Sequence, residues 1–259
     1  MSSGNIFTGD FVLGTLDGFI IQKSPSDNPF HACMDDGNTT YIFVNGETIS
    51  SDWIGGITLC HSNPILKNLI VKETRGTGIY IQDSSMPIIV NTLLHSNSNS
   101  GIVSYNSSPL VFNSTISKNT ARLNSSFTAG MYNNNSNPLV VNTIVYGNGT
   151  SFLEVKNVNS TPQYFYSHVR GETNQDANGN LNGYMDPLFV DPANNDFQLR
   201  WNSPCRDKGN GSYYTPFNVK KDLACNPREQ GAKIDLGAYE YTTETFNQPI
   251  MYVNKNVTP

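Results

Sequence analysis

Charge is scarce in this sequence. Only 14% of its 259 residues are Asp, Glu, Lys or Arg, where soluble domains usually carry about 25%. The basic residues are scattered and the net charge is −5. A nucleic-acid partner would need a basic stripe, and a membrane-surface segment would need a run of Lys and Arg; neither is written here. Long apolar runs are missing too, and none approaches the ~18 residues of a spanning helix, which argues against direct membrane insertion. Helix-period patterning is absent, which leaves a turn-rich, all-β composition. The four cysteines, Cys33, Cys60, Cys205 and Cys225, include no C-x-x-C pair, which removes the usual sequence ground for a zinc site. Cys33 and Cys60 read as small buried thiols, while Cys205 and Cys225 stay open between a bridge and free thiols. There is no His-Glu-x-x-His, no Gly-x-Ser-x-Gly and no P-loop. Met1-Ser-Ser-Gly has neither the charged start nor the apolar core of a signal peptide. No metal or cofactor is expected.

Asparagine, by contrast, is abundant, and much of it is placed by a repeat. Asn63-Pro-Ile-Leu-Lys-Asn-Leu-Ile-Val is followed by Met86-Pro-Ile-Ile-Val-Asn-Thr-Leu-Leu, Ser108-Pro-Leu-Val-Phe-Asn-Ser-Thr-Ile and Asn137-Pro-Leu-Val-Val-Asn-Thr-Ile-Val. The prolines Pro64, Pro87, Pro109 and Pro138 recur at spacings of 23, 22 and 29. A period in the low twenties is a solenoid signature, and the longer last interval fits a loop at 122–128. Leu66, Ile89, Val111 and Val140 form one aliphatic column; Val71, Leu94, Ile116 and Val145 form another. Side chains on a straight strand alternate faces, so two buried columns an odd number of positions apart require a bend between them. Asn68, Asn91, Asn113 and Asn142 stand at that bend, and Asn tolerates the left-handed backbone it needs. Asn97, Asn119 and Asn148 mark a second bend, with Thr74 departing from the column.

The expected fold is therefore all-β: a single-stranded right-handed parallel β-helix that rises about 4.8 Å per coil, with an irregular C-terminal capping region. Coils fill residues 1–170, with an insertion loop at about 24–40. Residues 171–245 form the C-terminal coil and cap, where Phe189, Phe197, Trp201, Tyr239 and Tyr241 are suited to covering the open apolar end. Residues 246–259 read as a tail or linker.

Three C-terminal phrases carry a resemblance: Asp186-Pro-Leu-Phe-Val-Asp-Pro, Ser203-Pro-Cys-Arg-Asp-Lys-Gly and Ile234-Asp-Leu-Gly-Ala-Tyr-Glu-Tyr. With Asn142-Thr-Ile-Val-Tyr-Gly-Asn and Leu16-Asp-Gly-Phe-Ile-Ile, they resemble the right-handed parallel β-helix repeat surface proteins of bacteria, grouped with the choice-of-anchor Q and polymorphic outer-membrane-protein-like families. The family usually has Ala where Cys205 stands. The resemblance implies a secreted or cell-surface setting. Its usual N-terminal strands are not seen here, and Pro249-Ile-Met-Tyr-Val-Asn-Lys-Asn is similar to the start of a further such domain, so the chain reads as a segment of a longer exported protein whose targeting and anchoring segments lie elsewhere.

Chemistry is harder to place. A glycosidase needs two carboxylates ~5 to 9.5 Å apart, and the repeats hold only Glu73 and Asp83, on different sides of a coil. The residues after the inward column, Lys72, His95, Ser117 and Tyr146, should point outward in a vertical row near Glu73, Lys118 and Arg122. Lys72, His95, Tyr146 and Lys118 are the candidate ligand-binding residues, suited to an acidic sugar or, in a lyase, to proton abstraction beside a uronate carboxylate. His31, His61 and His168 have no partner at ligand spacing. Asp207 and Asp235 are expected to hold the C-terminal region through backbone hydrogen bonds. The functional expectation is a monomeric, non-catalytic, adhesin-like, glycan-binding or structural module whose partner is a polysaccharide or a surface protein. The alternative is a β-helical polysaccharide lyase or glycoside hydrolase acting on an acidic polysaccharide.

Overall fold

Each coil of the chain contributes three short strands to three parallel sheets. The computed structural model describes residues 15–17, 20–22, 41–44, 55–74, 76–121, 129–149, 154–175, 178–213 and 215–242. The first sheet stacks Thr15–Asp17, Ile65–Lys67, Ile88–Val90, Leu110–Phe112, Leu139–Val141 and Gln163–Phe165. The second stacks Ile20–Gln22, Ile70–Lys72, Leu93–His95, Thr115–Ser117, Ile144–Val145 and His168–Val169. The third runs from Gly55–Cys60 through Thr77–Gln82, Ile102–Tyr105 and Met131–Asn134 to Val155–Val158, and Tyr41–Val44 pairs antiparallel on its edge. The expected parallel β-helix is thus observed, with a third strand and a third corner that the two-bend reading did not contain. The insertion at 24–40 with Cys33, the loop at 122–128 and the tail at 246–259 lie outside the described residues.

The pairing register places the repeat columns directly over one another. Leu66 pairs with Ile89, Ile89 with Val111 and Val111 with Val140; Val71, Leu94, Ile116 and Val145 do the same in the second sheet. All eight are fully buried, with Ile79, Ile81, Ile102 and Met131 of the third sheet closing the interior. Each such side chain contributes about 1.5–3 kcal/mol by leaving water.

Corners interrupt the backbone ladder, so side chains satisfy the amides there. Between the third and first sheets, the amides of Ser62, Ser85, Ser107 and Ser136 each donate to the hydroxyl of the next serine, ending at Ser160. Between the first and second sheets, Thr92, Ser114, Thr143 and Ser167 form a second hydroxyl file. Neither file stands out in the sequence, because Ser and Thr are common throughout this chain. Between the second and third sheets the file is amide. The backbone N–H and Nδ2 of Asn97 donate to Asn119 Oδ1 at 3.0 and 2.8 Å, and those of Asn119 donate to Asn148 Oδ1 at 3.1 and 2.8 Å. Thr74 starts this ladder by donating its N–H to Asn97 Oδ1, and the buried Glu154 carboxylate ends it on Asn148. Gly78 lines the same corner because a Cβ there would lie 2.7 Å from the Gly101 carbonyl oxygen.

The two asparagine columns differ. Asn68, Asn91, Asn113 and Asn142 adopt φ of 55, 51, 45 and 51°, and Tyr166 takes their place in the next coil at 47°. They are left-handed, as expected, but they face away from the coil interior. At the other corner the left-handed residues are Glu73, Ser96, Lys118 and Gly147, so the inward amide column follows the turn rather than making it.

The C-terminal region also departs from the expectation. Its aromatics lie along the flank instead of across the open end. Phe189, Phe197, Leu199 and Cys205 pack with Leu93 and Ile144, the outward residues of the second sheet. Val219 and Ile234 cover Val90, Phe112 and Val141 on the first. Trp201 is 71% exposed. The last coil is instead crossed by residues 178–183: Tyr166 N–H donates to Asn178 O, Leu181 N–H to Ser167 O, and Ser167 N–H to Asn180 Oδ1. Cys205 is a buried free thiol and Cys225 an exposed one, so no bridge joins them. Asp207 accepts from the amides of Ala232 and Lys233, and Asp235 from those of Asp207 and Tyr241.

Candidate functional site

The outward row stands where the stacking puts it. Lys72 pairs with His95 and His95 with Ser117. The residues following Val145 and Val169, Tyr146 and Arg170, extend the row. It faces the hairpin of Phe189–Asp191 and Asp196–Leu199, which belongs to the C-terminal region.

The hairpin divides the row. His95 is only 3% exposed because Phe197 lies over it, ring centroids 5.1 Å apart. Burial, reinforced by Lys72 and Lys118, lowers its pKa from 6.5 to about 4, so the imidazole is neutral at physiological pH. Its Nδ1 lies 3.0 Å from Ser96 Oγ, and Ser96 reaches Asn195 Oδ1. Lys72 lies apart, half-buried, with Glu73 Oε1 3.9 Å away.

Lys118 and Tyr146, by contrast, come together. They line a cavity of about 360 Å³ with Ser117, Asp186, Phe189 and Arg200. Lys118 Nζ donates to Ala193 O at 2.7 Å and Asn195 Oδ1 at 2.8 Å, and Arg200 donates to Val190 O at 2.8 Å. These acceptors are uncharged, while the carboxylates of Asp186, in the cleft lining, and Asp191, close to Arg200, partly offset the two cations. Tyr146 is held by Arg170, whose guanidinium lies 5.1 Å from its ring centre, and by His168 at 5.5 Å. Burial, then the nearby Asp186 carboxylate, raises the Tyr146 pKa, keeping it a neutral phenol that can donate a hydrogen bond. His168, read from sequence as lacking a partner, bonds Met185 O at 2.8 Å, and burial lowers its pKa.

Sequence reasoning missed Arg200 and Asp186. Both sit far beyond Lys118 in chain order, in a region without period, and only the folded hairpin brings them to the row. The seven ladder asparagines lie apart from this cleft, in the two columns described above. Among the described residues, no helix is long and apolar enough to cross a membrane.

The family model described as "Right handed beta helix region" matches residues 14–148 and 62–179. Among solved structures, the crystal structure of pectate lyase Pel9A is similar at a TM-score of 0.34 and 14% identity, covering 73% of this chain and 68% of that one. No curated protein matches the chain.

Proposed function

We propose, from the premise that this chain belongs to the right-handed β-helix family, that it is an exported, monomeric module of a bacterial surface protein that binds an acidic glycan without cleaving it. The observation that carries this reading is the cleft in which Lys118 and Arg200, each bonded to neutral acceptors, stand beside the ring and hydroxyl of Tyr146. Such a cleft suits a sugar carboxylate: the cations attract it, and the aromatic face covers the apolar side of a pyranose ring. Pairs this exposed act through orientation and charge more than through large energies.

The same geometry favours binding over turnover. A lyase base must be unprotonated and reach the substrate. The neutral base of the row is His95, and Phe197 covers it. Titration calorimetry against polygalacturonate and against a neutral glucan tests the reading, with a parallel assay for unsaturated uronate. The expected result is polyuronate binding that weakens several-fold in Lys118→Ala, no binding of the neutral glucan and no uronate product. Release of unsaturated uronate that is lost in Lys72→Ala would replace this reading with the lyase one.

A further inference from the structure

At the edge where the coils begin, three ligand-bearing side chains converge that the sequence reading left separate. Cys60 ends its strand in the third sheet and pairs in register with Gln82 of the next coil. The residues that follow, His61 and Asp83, therefore stack one strand spacing apart. Both adopt left-handed backbone, φ 49 and 57°, which turns the chain out of the strand. In the next three coils this position is Asn106, Asn135 and Asn159, at φ 48, 48 and 49°. The turn thus accepts Asn, yet its first two copies are imidazole and carboxylate.

We infer that Cys60, His61 and Asp83 form a binding site for a zinc-class divalent cation. Cys60 Sγ lies 3.4 Å from His61 Nδ1 and 3.3 Å from Asp83 Oδ2, and the three ligand atoms all fall within 4.8 Å of one another. A tetrahedral ion with Zn–S of about 2.3 Å and Zn–N or Zn–O of about 2.0–2.1 Å holds its sulfur about 3.5 Å from each of the other two ligands. The observed separations meet that within small side-chain rotations. One sulfur, one nitrogen and one oxygen ligand favour zinc and its neighbours over calcium or magnesium, which take oxygen alone.

The surroundings suit a thiolate. Cys60 is buried, 7% exposed, while His61 is open to solvent, so the fourth position falls to water. Gln82 Nε2 approaches the sulfur at 3.6 Å, an outer N–H that stabilises negative charge on it. On binding, the thiol proton now directed at Asp83 leaves to solvent, the sulfur pair forms the metal bond, and no redox change occurs.

The test is titration of the reduced, full chain with Co²⁺, read by the thiolate-to-cobalt charge-transfer band, and then displacement by Zn²⁺. The expected result is a band saturating at one equivalent, lost in Cys60→Ser, retained in Cys225→Ser, and weakened at least tenfold in affinity in His61→Asn and in Asp83→Asn. The last two variants install the residue that later coils use at this turn, so they preserve the fold while removing ligands. A wild-type chain without the band overturns the site. So does a band that survives the His61→Asn/Asp83→Asn double variant, or one that depends on Cys225.

Discussion

The two files of asparagine look alike in sequence and behave as opposites. Asn97, Asn119 and Asn148 point into the coil, away from water, and bond one another and the backbone of neighbouring coils. Asn68, Asn91, Asn113 and Asn142 point outward and make the turn with their own left-handed backbone. Asn91, Asn113 and Asn142 are nevertheless fully buried, because the C-terminal region lies on them. Asn91 Oδ1 accepts from Arg228, Asn142 Oδ1 accepts from Asn210 N–H, and Arg228 also bonds the Asn113 carbonyl. The inner file is satisfied by repetition throughout; the outer one is joined in pairs, Asn91 Nδ2 donating to Asn68 Oδ1 and Asn142 Nδ2 to Asn113 Oδ1, and otherwise relies on a docked segment. The difference appears at Asn113, whose Nδ2 has no acceptor: the docked segment does not repeat, so it cannot serve every copy equally.

The largest effect should come from the outer file's clamp. Arg228 is fully buried and donates to Glu240 Oε1 and Asn91 Oδ1, both at 2.8 Å. Arg228→Met leaves Glu240 buried without its counter-charge and should cost about 3–5 kcal/mol in urea denaturation. Adding Glu240→Leu should recover much of that loss. An unchanged midpoint in the single variant would mean that the clamp does not hold the flank.

A smaller loss is expected on acidification, again on the outer flank. The His95 pKa falls from 6.5 to about 4 through burial and then the charges of Lys72 and Lys118. The unfolded chain therefore binds a proton that the native state refuses between those values. The resulting stability is present above about pH 6.5 and lost as pH falls through about 4, a difference of about 3 kcal/mol. Urea midpoints at pH 7 and pH 4 should converge in His95→Asn relative to wild type; parallel profiles would show that His95 is not the sensing group.

For the inner file, Asn119→Ala and Asn119→Gly should each lose about 2 kcal/mol through unmet hydrogen bonds. Either change strips the acceptor from the Asn97 amide and side chain. Asn68→Gly should lose less, about 1 kcal/mol, because Gly takes the left-handed turn freely and Asn91 Nδ2, which loses the Asn68 Oδ1 acceptor, keeps the Lys221 carbonyl. Asn68 is also only half-buried, so little packing is lost with its side chain. Thermal melts of the two glycine variants side by side give the sharpest form of the comparison. Equal losses would erase the distinction between a ladder residue and a turn residue.

The coil itself is legible because stacking demands it. Each coil sits on a copy of itself, so a position that must be aliphatic, small or left-handed must be so every turn, and the repeat period writes that requirement into the chain. The third strand is harder to read. Its phrases Gly78-Ile-Tyr, Gly101-Ile-Val and Gly130-Met-Tyr are visible, but the serine corner before the first sheet hides among many serines. The row Lys72, His95, Ser117, Tyr146 follows from register alone; that Phe197 covers His95 while Arg200 reaches the cleft beside Lys118 does not.

By itself, then, the sequence determined the winding, the interior columns and the residues at the turns, since nearest-neighbour stacking is a local rule repeated many times. Only the tertiary structure decided which asparagines face inward, where the C-terminal region lies and which side chains meet at Cys60. Those contacts join residues of different coils, or residues such as Arg228 and Asn91 that are 137 positions apart. They occur once, and a contact made once leaves no period to read.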